Sequence, residues 1–168
     1  ELETMQQSDE NLEQQVEQVK EAHSKAKKLA LEISELRKQT AKRLEAEIHQ
    51  QLSALYMDKA VFEVRFLPAN GQLTETGLDR VEFYIQTNPG EEMGALARIA
   101  SGGELSRIML ALKTIFAQNK GVTSIIFDEV DTGVSGRVAQ AIAEKISQIA
   151  TNSQVLCITH LPQVAAVA

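Results

Sequence analysis

Residues 122–136 read VTSIIFDEVDTGVSG, and residues 154–160 read QVLCITH. Each stretch contains a short apolar run, 122–127 and 155–159, while the segment 135–150 between them has the apolar spacing of a helix. A strand, a helix and a second strand joined by short connections form a βαβ unit, whose strands are parallel. Unbroken apolar runs of this kind predict strands that are buried on both faces of the sheet. The sequence therefore predicts an α/β fold.

A second amphipathic helix is predicted over 105–117, directly after Ser101-Gly102-Gly103-Glu104. That tetrapeptide fits a capping box, in which the side chains of Ser101 and Glu104 each accept from the other residue's backbone amide. A capping box does not need two glycines, however, and glycine lowers helix stability. Without two side chains, the amides at the positive end of the helix dipole lie open to a phosphate. The sequence leaves both interpretations open, a helix cap and a phosphate contact.

Two further strands are predicted upstream of this helix. Apolar residues alternate with polar ones over 62–66 and again over 81–86, which is typical of half-buried strands. We expect these strands to pair as an antiparallel hairpin. Its connection, 68–80, is longer than a tight turn, and the turn sequence Asn88-Pro89-Gly90 closes the second strand.

The first 55 residues differ in composition from the remainder. All nine glycines, all three prolines and every aromatic side chain lie at position 56 or later. Apolar residues in the opening segment recur at spacings of three and four, and the stripe they form is as narrow as that of a coiled coil. The stripe consists of Leu2, Met5, Leu12, Val16, Val19, Ala26, Leu29, Ile33, Leu36, Leu44, Ile48, Leu52 and Leu55. Asp9, His23 and Arg37 interrupt it.

A helix over this segment would measure about 80 Å at 1.5 Å per residue, too long to fold back within a small domain without a break. We therefore expect residues 1–57 to form a coiled-coil arm that projects or pairs with another helix. Residues 58–168 are then expected to form one globular lobe. The alternative is one or two amphipathic helices packed on that lobe.

Composition excludes several classes of protein. The 168 residues contain no apolar run near the roughly 20 residues that span a bilayer, and the acidic, Gln-rich start does not fit a signal peptide. The single cysteine, Cys157, cannot form an intrachain disulfide and fits a small core residue. We expect a cytoplasmic protein without a membrane partner. The net charge of −6 gives no electrostatic indication of nucleic-acid binding.

Two adjacent carboxylates, Asp128 and Glu129, follow the first apolar strand. The carboxyl ends of strands are where open α/β sheets bind ligands. Because successive strand residues point in opposite directions, we expect different tasks for the two acids. Asp128 could hold Mg²⁺, and Glu129 could orient or deprotonate a water molecule. A pair of solvated acids is the alternative, although Asp131 brings a third negative charge that a divalent cation would relieve.

The second apolar strand ends in Thr159-His160. A single histidine at a strand end is commonly a hydrogen-bonded loop residue. In a parallel sheet, however, both strands end on the same edge, so we expect His160 to lie near Asp128 and Glu129, within reach of a common ligand.

The phosphate-binding loop GxxxxGK[ST] does not occur in the sequence. The chain therefore carries the water-activating side of a nucleotide site without the loop that cradles the phosphates. We expect it not to hydrolyse a nucleotide alone.

Taken in order, three motifs resemble the carboxyl-terminal half of an ABC-type ATPase head of the SMC kind. Residues 99–107, IASGGELSR, resemble the signature motif, and residues 124–136, SIIFDEVDTGVSG, resemble the Walker B strand and its following loop. Residues 159–165, THLPQVA, resemble the switch-histidine segment. The resemblance covers roughly residues 60–168, and 1–57 resembles the returning half of a coiled-coil arm. It implies a fragment of a larger protein, whose amino-terminal lobe carries the phosphate loop.

The resemblance also implies roles for single residues. Asp128 would hold Mg²⁺, Glu129 would act on the hydrolytic water, and His160 would contact the γ-phosphate of ATP. Ser101 and Gly103 would contact the γ-phosphate bound to a second head, so that ATP joins two heads into a homodimer.

Gly102 and Glu104 belong to the same nucleotide-binding motif. Related heads have an aspartate in the loop after Walker B, where alignment places Ser135 as a nucleotide contact. Asp131 is the alternative occupant of that role.

The resemblance finally implies partners and a biological role. The chain would act with its amino-terminal lobe, a second head and DNA in the recombinational repair of double-strand breaks, at the bacterial nucleoid. Two other functions remain as alternatives. One is a coiled-coil scaffold that binds a partner without nucleotide chemistry, and the other is a stand-alone Mg²⁺-dependent hydrolase, which the missing phosphate loop disfavours.

Overall fold

The computed structural model describes residues 2–68, 72–98, 102–117, 123–128, 130–131, 133–134 and 136–167, with side chains from Asn11 onward except that of Pro68. The helices are α1 (Leu2–Ala54), α2 (Gly102–Ala117), α3 (Gly136–Ala150) and α4 (Pro162–Ala165). The strands are β1 (Val61–Pro68), β2 (Asp79–Gln86), β3 (Gly94–Ala95), β4 (Ser124–Asp128) and β5 (Gln154–Ile158), and a 3₁₀ turn covers Leu96–Arg98. The mixed α/β class predicted from the sequence is confirmed.

The chain divides into two compact units. One comprises residues 1–41 and 66–81, and the other comprises residues 42–65 and 82–168. No helix in the described part of the chain combines the length and apolarity needed to cross a membrane.

Helix α1 is continuous over 53 residues, as the Gly-free and Pro-free sequence predicts. The predicted apolar stripe lies largely on its surface in the first unit, where the exposed members include Leu12, Val16, Val19, Leu29, Ile33 and Leu36. A different face is buried there, carrying Ala30, Ser34 and Ala41. Arg37 lies near Gly77, whose α-carbon would place a Cβ only 3.4 Å from an Arg37 Nη1 atom. The residue that interrupts the heptad thus faces the β1–β2 connection.

A Schellman motif ends α1. The N–H of Met57 donates to the carbonyl of Leu52 at 2.9 Å, and the N–H of Tyr56 donates to that of Ser53 at 3.0 Å. The motif requires a residue with left-handed backbone conformation directly before Met57. Tyr56 occupies that position with a φ of 59°, where glycine is usual. Leu52 and Met57 are both buried, which supplies the apolar contact that accompanies this type of helix end.

The core of the second unit consists of buried apolar side chains from the end of α1, from α2 and α3, and from one face of each sheet. From the helices, and from the turn that follows α1, it takes Ile48, Leu52, Leu55, Ile108, Leu110, Ala111, Leu112, Ile115, Ala139, Ile142, Ala143, Ile146 and Ile149. From the strands it takes Phe62, Val64, Ile85, Ile125 and Phe127. The burial of large aliphatic side chains is the dominant stabilising term in such a core.

One sheet has the strand order β1-β2-β3. The predicted alternation holds for β1, in which Phe62 and Val64 are buried. It is wrong at the start of β2, where Val81 is exposed. The Phe62 ring lies 5.5 Å, centroid to centroid, from that of Phe83. The short strand β3 pairs antiparallel with β2 and was not predicted, since two residues carry no periodicity.

Strands β4 and β5 pair in parallel, as predicted. The expectation that they are buried on both faces is wrong. Ile125 and Phe127 are buried, whereas Ile126 between them is 62% exposed, and Leu156 and Ile158 on β5 are exposed too. Helices of this chain cover one face of the pair and leave an apolar face open.

Helix α2 begins at Gly102, three residues before the predicted start at Leu105. Gly102 and Gly103 therefore lie inside its first turn rather than ahead of it. Glu104 is an acidic residue of that turn, where the helix dipole favours negative charge. The helix is described as far as Ala117, which is also the last residue of the predicted helix.

Candidate functional site

The parallel register of β4 and β5 sets the geometry of the site. Asp128 stands opposite Ile158, two residues before His160. The structure therefore places Asp128 and His160 at one edge of the strand pair, where the sequence predicts them. Glu129, the third predicted member of this group, lies outside the described residues, as do Ser101 and Ser135.

Asp131 links the loop after β4 to the loop after β5. Its side chain is 1% exposed, and one carboxylate oxygen, Oδ2, accepts hydrogen bonds from the Thr159 hydroxyl and, at 3.2 Å, from the backbone N–H of His160. The other oxygen, Oδ1, lies 3.5 Å from His160 Nδ1. The backbone N–H of Leu161 in turn donates to the Thr159 hydroxyl oxygen at 3.1 Å. This carboxylate organises the whole turn that carries the histidine.

The same contacts keep Asp131 ionised. Burial raises the pKa of Asp131, but the hydrogen bonds from the Thr159 hydroxyl and the His160 backbone, together with the nearby imidazole, outweigh it. The net result is a pKa below the ordinary value of an aspartate. A buried negative charge is therefore present beside His160 at neutral pH.

Asp131 does not join Asp128 in a cluster of exposed carboxylates after β4. Asp128 is exposed, whereas the Asp131 carboxylate is buried against the loop after β5. Asp131 therefore does not add its charge to a metal site with Asp128. Its carboxylate is not available at the surface of the described chain.

The Cys157 thiol is half-buried within β5. Burial first, and the charge of Asp131 second, raise the pKa of the Cys157 thiol. A thiol with a raised pKa carries little thiolate and is a weak nucleophile. This agrees with its interpretation as a packing residue.

The start of α2 is open beside Gly102. Gly102 is exposed, and a Cβ added there would meet nothing within 4 Å. Packing therefore does not explain why glycine occupies this position. The carbonyl of Gly102 accepts from the Ser106 hydroxyl at 2.9 Å, an ordinary bond to the preceding turn.

A polar cleft adjoins this helix start, with a volume of about 220 Å³. It is lined by Tyr56, Met57, Asp58, Lys59, Thr87, Asn88, Glu104 and Arg107. Within the described part of the chain, the buried Nε of Arg107 has no hydrogen-bond acceptor. Sequence reasoning missed this cleft because its walls come from three separate segments.

Comparisons with known proteins were made by sequence and by fold. No protein-family model matches the chain. It is 65% identical over 139 residues to the DNA repair protein RecN of Halalkalibacterium halodurans, a match that covers 81% of this chain and 25% of that protein. It is 55% identical over 166 residues to RecN of Bacillus subtilis, covering 89% of this chain and 29% of that one.

The chain belongs to the family of the DNA repair protein RecN. It spans between a quarter and a third of the length of these RecN relatives. The match to the Bacillus subtilis protein covers 89% of the chain and so includes part of α1 as well as the residues that follow it.

Solved structures show the fold of this RecN-family chain. The Smc head domain of Pyrococcus yayanosii, solved with a coiled coil and joint, matches 79% of the chain with a TM-score of 0.60 and 18% identity, over 24% of its own length. The Smc head domain of Pyrococcus furiosus, solved with the C-terminal domain of ScpA bound, matches 79% with a TM-score of 0.57 and 18% identity, over 31% of its length. The chain shares the fold of SMC head domains.

Proposed function

We propose that the chain is the carboxyl-terminal lobe and returning arm of an SMC-like ATPase head that acts in DNA repair. The division is the one expected from the sequence, with residues 1–57 as arm and 58–168 as lobe. The substrate is ATP, and the active unit includes an amino-terminal lobe that carries the phosphate loop.

One observation carries this proposal. The parallel register of β4 and β5 brings the exposed Asp128 carboxylate and the histidine turn to the same strand edge. In α/β sheets that edge is where nucleotides bind. A carboxylate and an imidazole at this edge are the groups that nucleotide hydrolysis needs for metal binding and phosphate contact.

Asp128 fits a magnesium ligand. It is an exposed carboxylate at a strand end, and Mg²⁺ in nucleotide sites is held by one or two carboxylates together with phosphate oxygens and water. When bound, the ion neutralises charge on the β- and γ-phosphates. Glu129, the adjacent acid, positions or deprotonates the attacking water, and His160 contacts the γ-phosphate.

The signature motif acts on a second head. Gly102, Gly103 and Glu104 lie in the first turn of α2, where backbone amides and the helix dipole suit a phosphate, and Ser101 directly precedes them in the sequence. The unfilled space beside Gly102 supports this role, because a side chain there would obstruct an approaching ligand rather than the fold. ATP bound between two heads then joins them into a homodimer. Ser135, which follows β4 in the sequence, is a further contact to the nucleotide.

The amino-terminal lobe covers the open face of β4 and β5. Ile126, Leu156 and Ile158 present an apolar surface there, and large exposed apolar surfaces mark interaction sites. The RecN relatives of Halalkalibacterium halodurans and Bacillus subtilis have several times the length of this chain, which leaves ample sequence for such a lobe. DNA is bound by the assembled protein in the cytoplasm, at the nucleoid, and the reaction serves the repair of double-strand breaks.

ATP turnover by the full-length protein tests the proposal. Glu129→Gln is expected to lower turnover by a factor on the order of 10² to 10⁴, the range for loss of a general base, while ATP-dependent pairing of heads persists. Glu47→Gln, at an exposed carboxylate on α1, is the matched control and keeps wild-type turnover. Equal turnover in the Glu129→Gln and wild-type proteins would overturn the assignment.

A second candidate function rests on the exposed apolar stripe of α1. Leu12, Val16 and Val19 are exposed at helical spacing, which suits a scaffold that binds a partner helix without nucleotide chemistry. A full-length protein that neither binds ATP nor pairs in its presence would favour this scaffold over the ATPase.

A further inference from the structure

Asp131 is a buried carboxylate for which the proposed reaction has no use. Removing a charge from water is costly unless partners replace the lost hydration, and buried carboxylates are accordingly paired and hydrogen-bonded. A neutral side chain could accept the same two hydrogen bonds from Thr159 and the His160 backbone. The retained charge therefore calls for an explanation beyond the stability of the turn.

The charge faces one titratable side chain. Asp131 Oδ1 lies 3.5 Å from Nδ1 of His160, while the imidazole as a whole is 69% exposed. A carboxylate beside Nδ1 favours the proton on that nitrogen and sets the direction of the ring. Nε2, on the far side of the ring, then points away from the Asp131 carboxylate.

We propose that Asp131 is a positioning residue that holds His160 with Nδ1 turned inward and Nε2 turned toward the phosphate of the bound nucleotide. The inference rests on the proposed function and names a residue on which that function depends. Thr159 is the second part of the device, because its hydroxyl donates to the same carboxylate and accepts from the N–H of Leu161. Both ends of the histidine turn are thereby tied to one anion.

The arrangement also joins two loops that serve one reaction. Asp131 lies three residues after Asp128 and two after Glu129, so the loop that carries the acids also anchors the histidine. When the proton lies on Nδ1, a second proton on Nε2 makes that atom a hydrogen-bond donor to an anionic oxygen. A donor at Nε2 suits the anionic terminal phosphate of the proposed nucleotide.

The test combines a spectroscopic and a kinetic measurement. In the ¹⁵N-labelled chain, long-range ¹H–¹⁵N spectra report which imidazole nitrogen carries the proton, and His160→Gln assigns the His160 signals among the three histidines. The test variants are Asp131→Asn and Thr159→Val. Thr114→Val is the control, since the buried Thr114 hydroxyl donates to the backbone carbonyl of Leu110 within α2, away from the histidine turn. Glu45→Gln is the control for loss of a carboxylate that accepts a backbone hydrogen bond.

In the wild-type chain we expect the proton of neutral His160 on Nδ1. Asp131→Asn shifts the population toward Nε2, Thr159→Val does so less, and both controls keep the wild-type spectrum. In the full-length protein, Asp131→Asn lowers kcat for ATP on the order of ten- to a hundredfold with KM nearly unchanged, the range seen when a residue that orients a functional histidine is lost.

Different negative results contradict the positioning role of Asp131 and the proposed function. An unaltered His160 spectrum in Asp131→Asn overturns the positioning role, and so does an altered spectrum with unchanged kcat. If Asp131→Asn does not fold, Thr159→Val decides by the same two criteria. A wild-type full-length protein without ATP turnover overturns the proposed function, and the orientation of His160 by Asp131 then stands or falls on the spectra of the chain alone.

Discussion

Glu45 of α1 accepts a hydrogen bond from the backbone N–H of Val64 in β1, with 2.8 Å between Oε1 and N. The two residues are separated by 19 positions, and the bond fixes the strand against the last turns of the helix. A backbone donor that faces a helix instead of a neighbouring strand has to find its acceptor in a side chain. Glu45 supplies that acceptor.

Loss of this acceptor should destabilise the second unit. Glu45→Ala is expected to lower the free energy of unfolding by about 1–3 kcal/mol, because the Val64 N–H is left partly buried without a partner. Urea denaturation measures the change. Glu47→Ala, at an exposed position on the same helix, should cost little, and an equal loss in the two variants would contradict this role of Glu45.

Replacing Tyr56 by glycine should stabilise the chain. A left-handed residue with a Cβ costs about 1–2 kcal/mol, and glycine removes that strain while keeping the two hydrogen bonds of the helix end. We expect Tyr56→Gly to raise the free energy of unfolding by about 1 kcal/mol net of chain entropy. Tyr56→Ala retains the strain and serves as control. A gain of the same size in both variants would show that loss of the ring, and not the backbone, is responsible.

Isoleucine-to-alanine substitutions on the two faces of β4 should differ in their effect on stability. Ile125 on β4 is buried on the covered side, and Ile125→Ala should cost about 2–5 kcal/mol in the isolated chain. Ile126→Ala, on the open face, should change stability by no more than about 0.5 kcal/mol. Thermal unfolding compares them. In the full-length protein Ile126→Ala should become costly, because the proposed lobe covers that face.

Stability should fall in acid through Asp131. The pKa of Asp131 is lower in the folded chain than the ordinary 3.8, so its contribution is present above that value and is lost as the pH falls through the folded pKa. Unfolding measured between about pH 6 and pH 2 should therefore show a decline that Asp131→Asn flattens. A residual slope remains from Glu91, since hydrogen bonds from the Thr87 hydroxyl and Asn88 also lower its pKa. Thr114→Val should lower the whole curve without changing its slope.

Gly102→Ala should separate stability from function. Its Cβ meets open space, and alanine is the better helix former by about 0.5–1 kcal/mol, so the free energy of unfolding should stay level or rise. In the full-length protein the methyl group would obstruct the proposed phosphate contact, and ATP-dependent pairing of heads should weaken. Light scattering with and without ATP measures the pairing. Destabilisation of the isolated chain would instead indicate a structural need for glycine.

Much of the fold follows from periodicity. The apolar runs of β4 and β5 and the spacing in α3 predict a parallel βαβ unit, and the rule that parallel strands end on one edge predicts that Asp128 and His160 lie together. These inferences succeed because they depend on local pattern and on topology. The open face of β4 could not be predicted in the same way, because an apolar run does not state whether its second cover belongs to the same chain.

Other features depend on contacts between distant residues. The sequence shows Asp131 only as a third acid after a strand, and its burial against Thr159 becomes visible when both loops are placed. Arg37 interrupts the heptad pattern, and its neighbour Gly77 is 40 positions away. Tyr56 contradicts the preference for glycine at a helix end, since the burial of Leu52 and Met57 compensates for the strained backbone.

The hydrogen bonds that bind Thr159 and His160 to Asp131 close loops of 28 and 29 positions that enclose the whole of α3. Contacts of such sequence separation form only after the entropy of closing the loop has been overcome, and they belong to the late stages of folding. The β4–β5 pairs are themselves separated by 30 positions, so the Asp131 contacts are expected to form together with that strand pairing. Loss of the His160 orientation should therefore accompany opening of the βαβ unit.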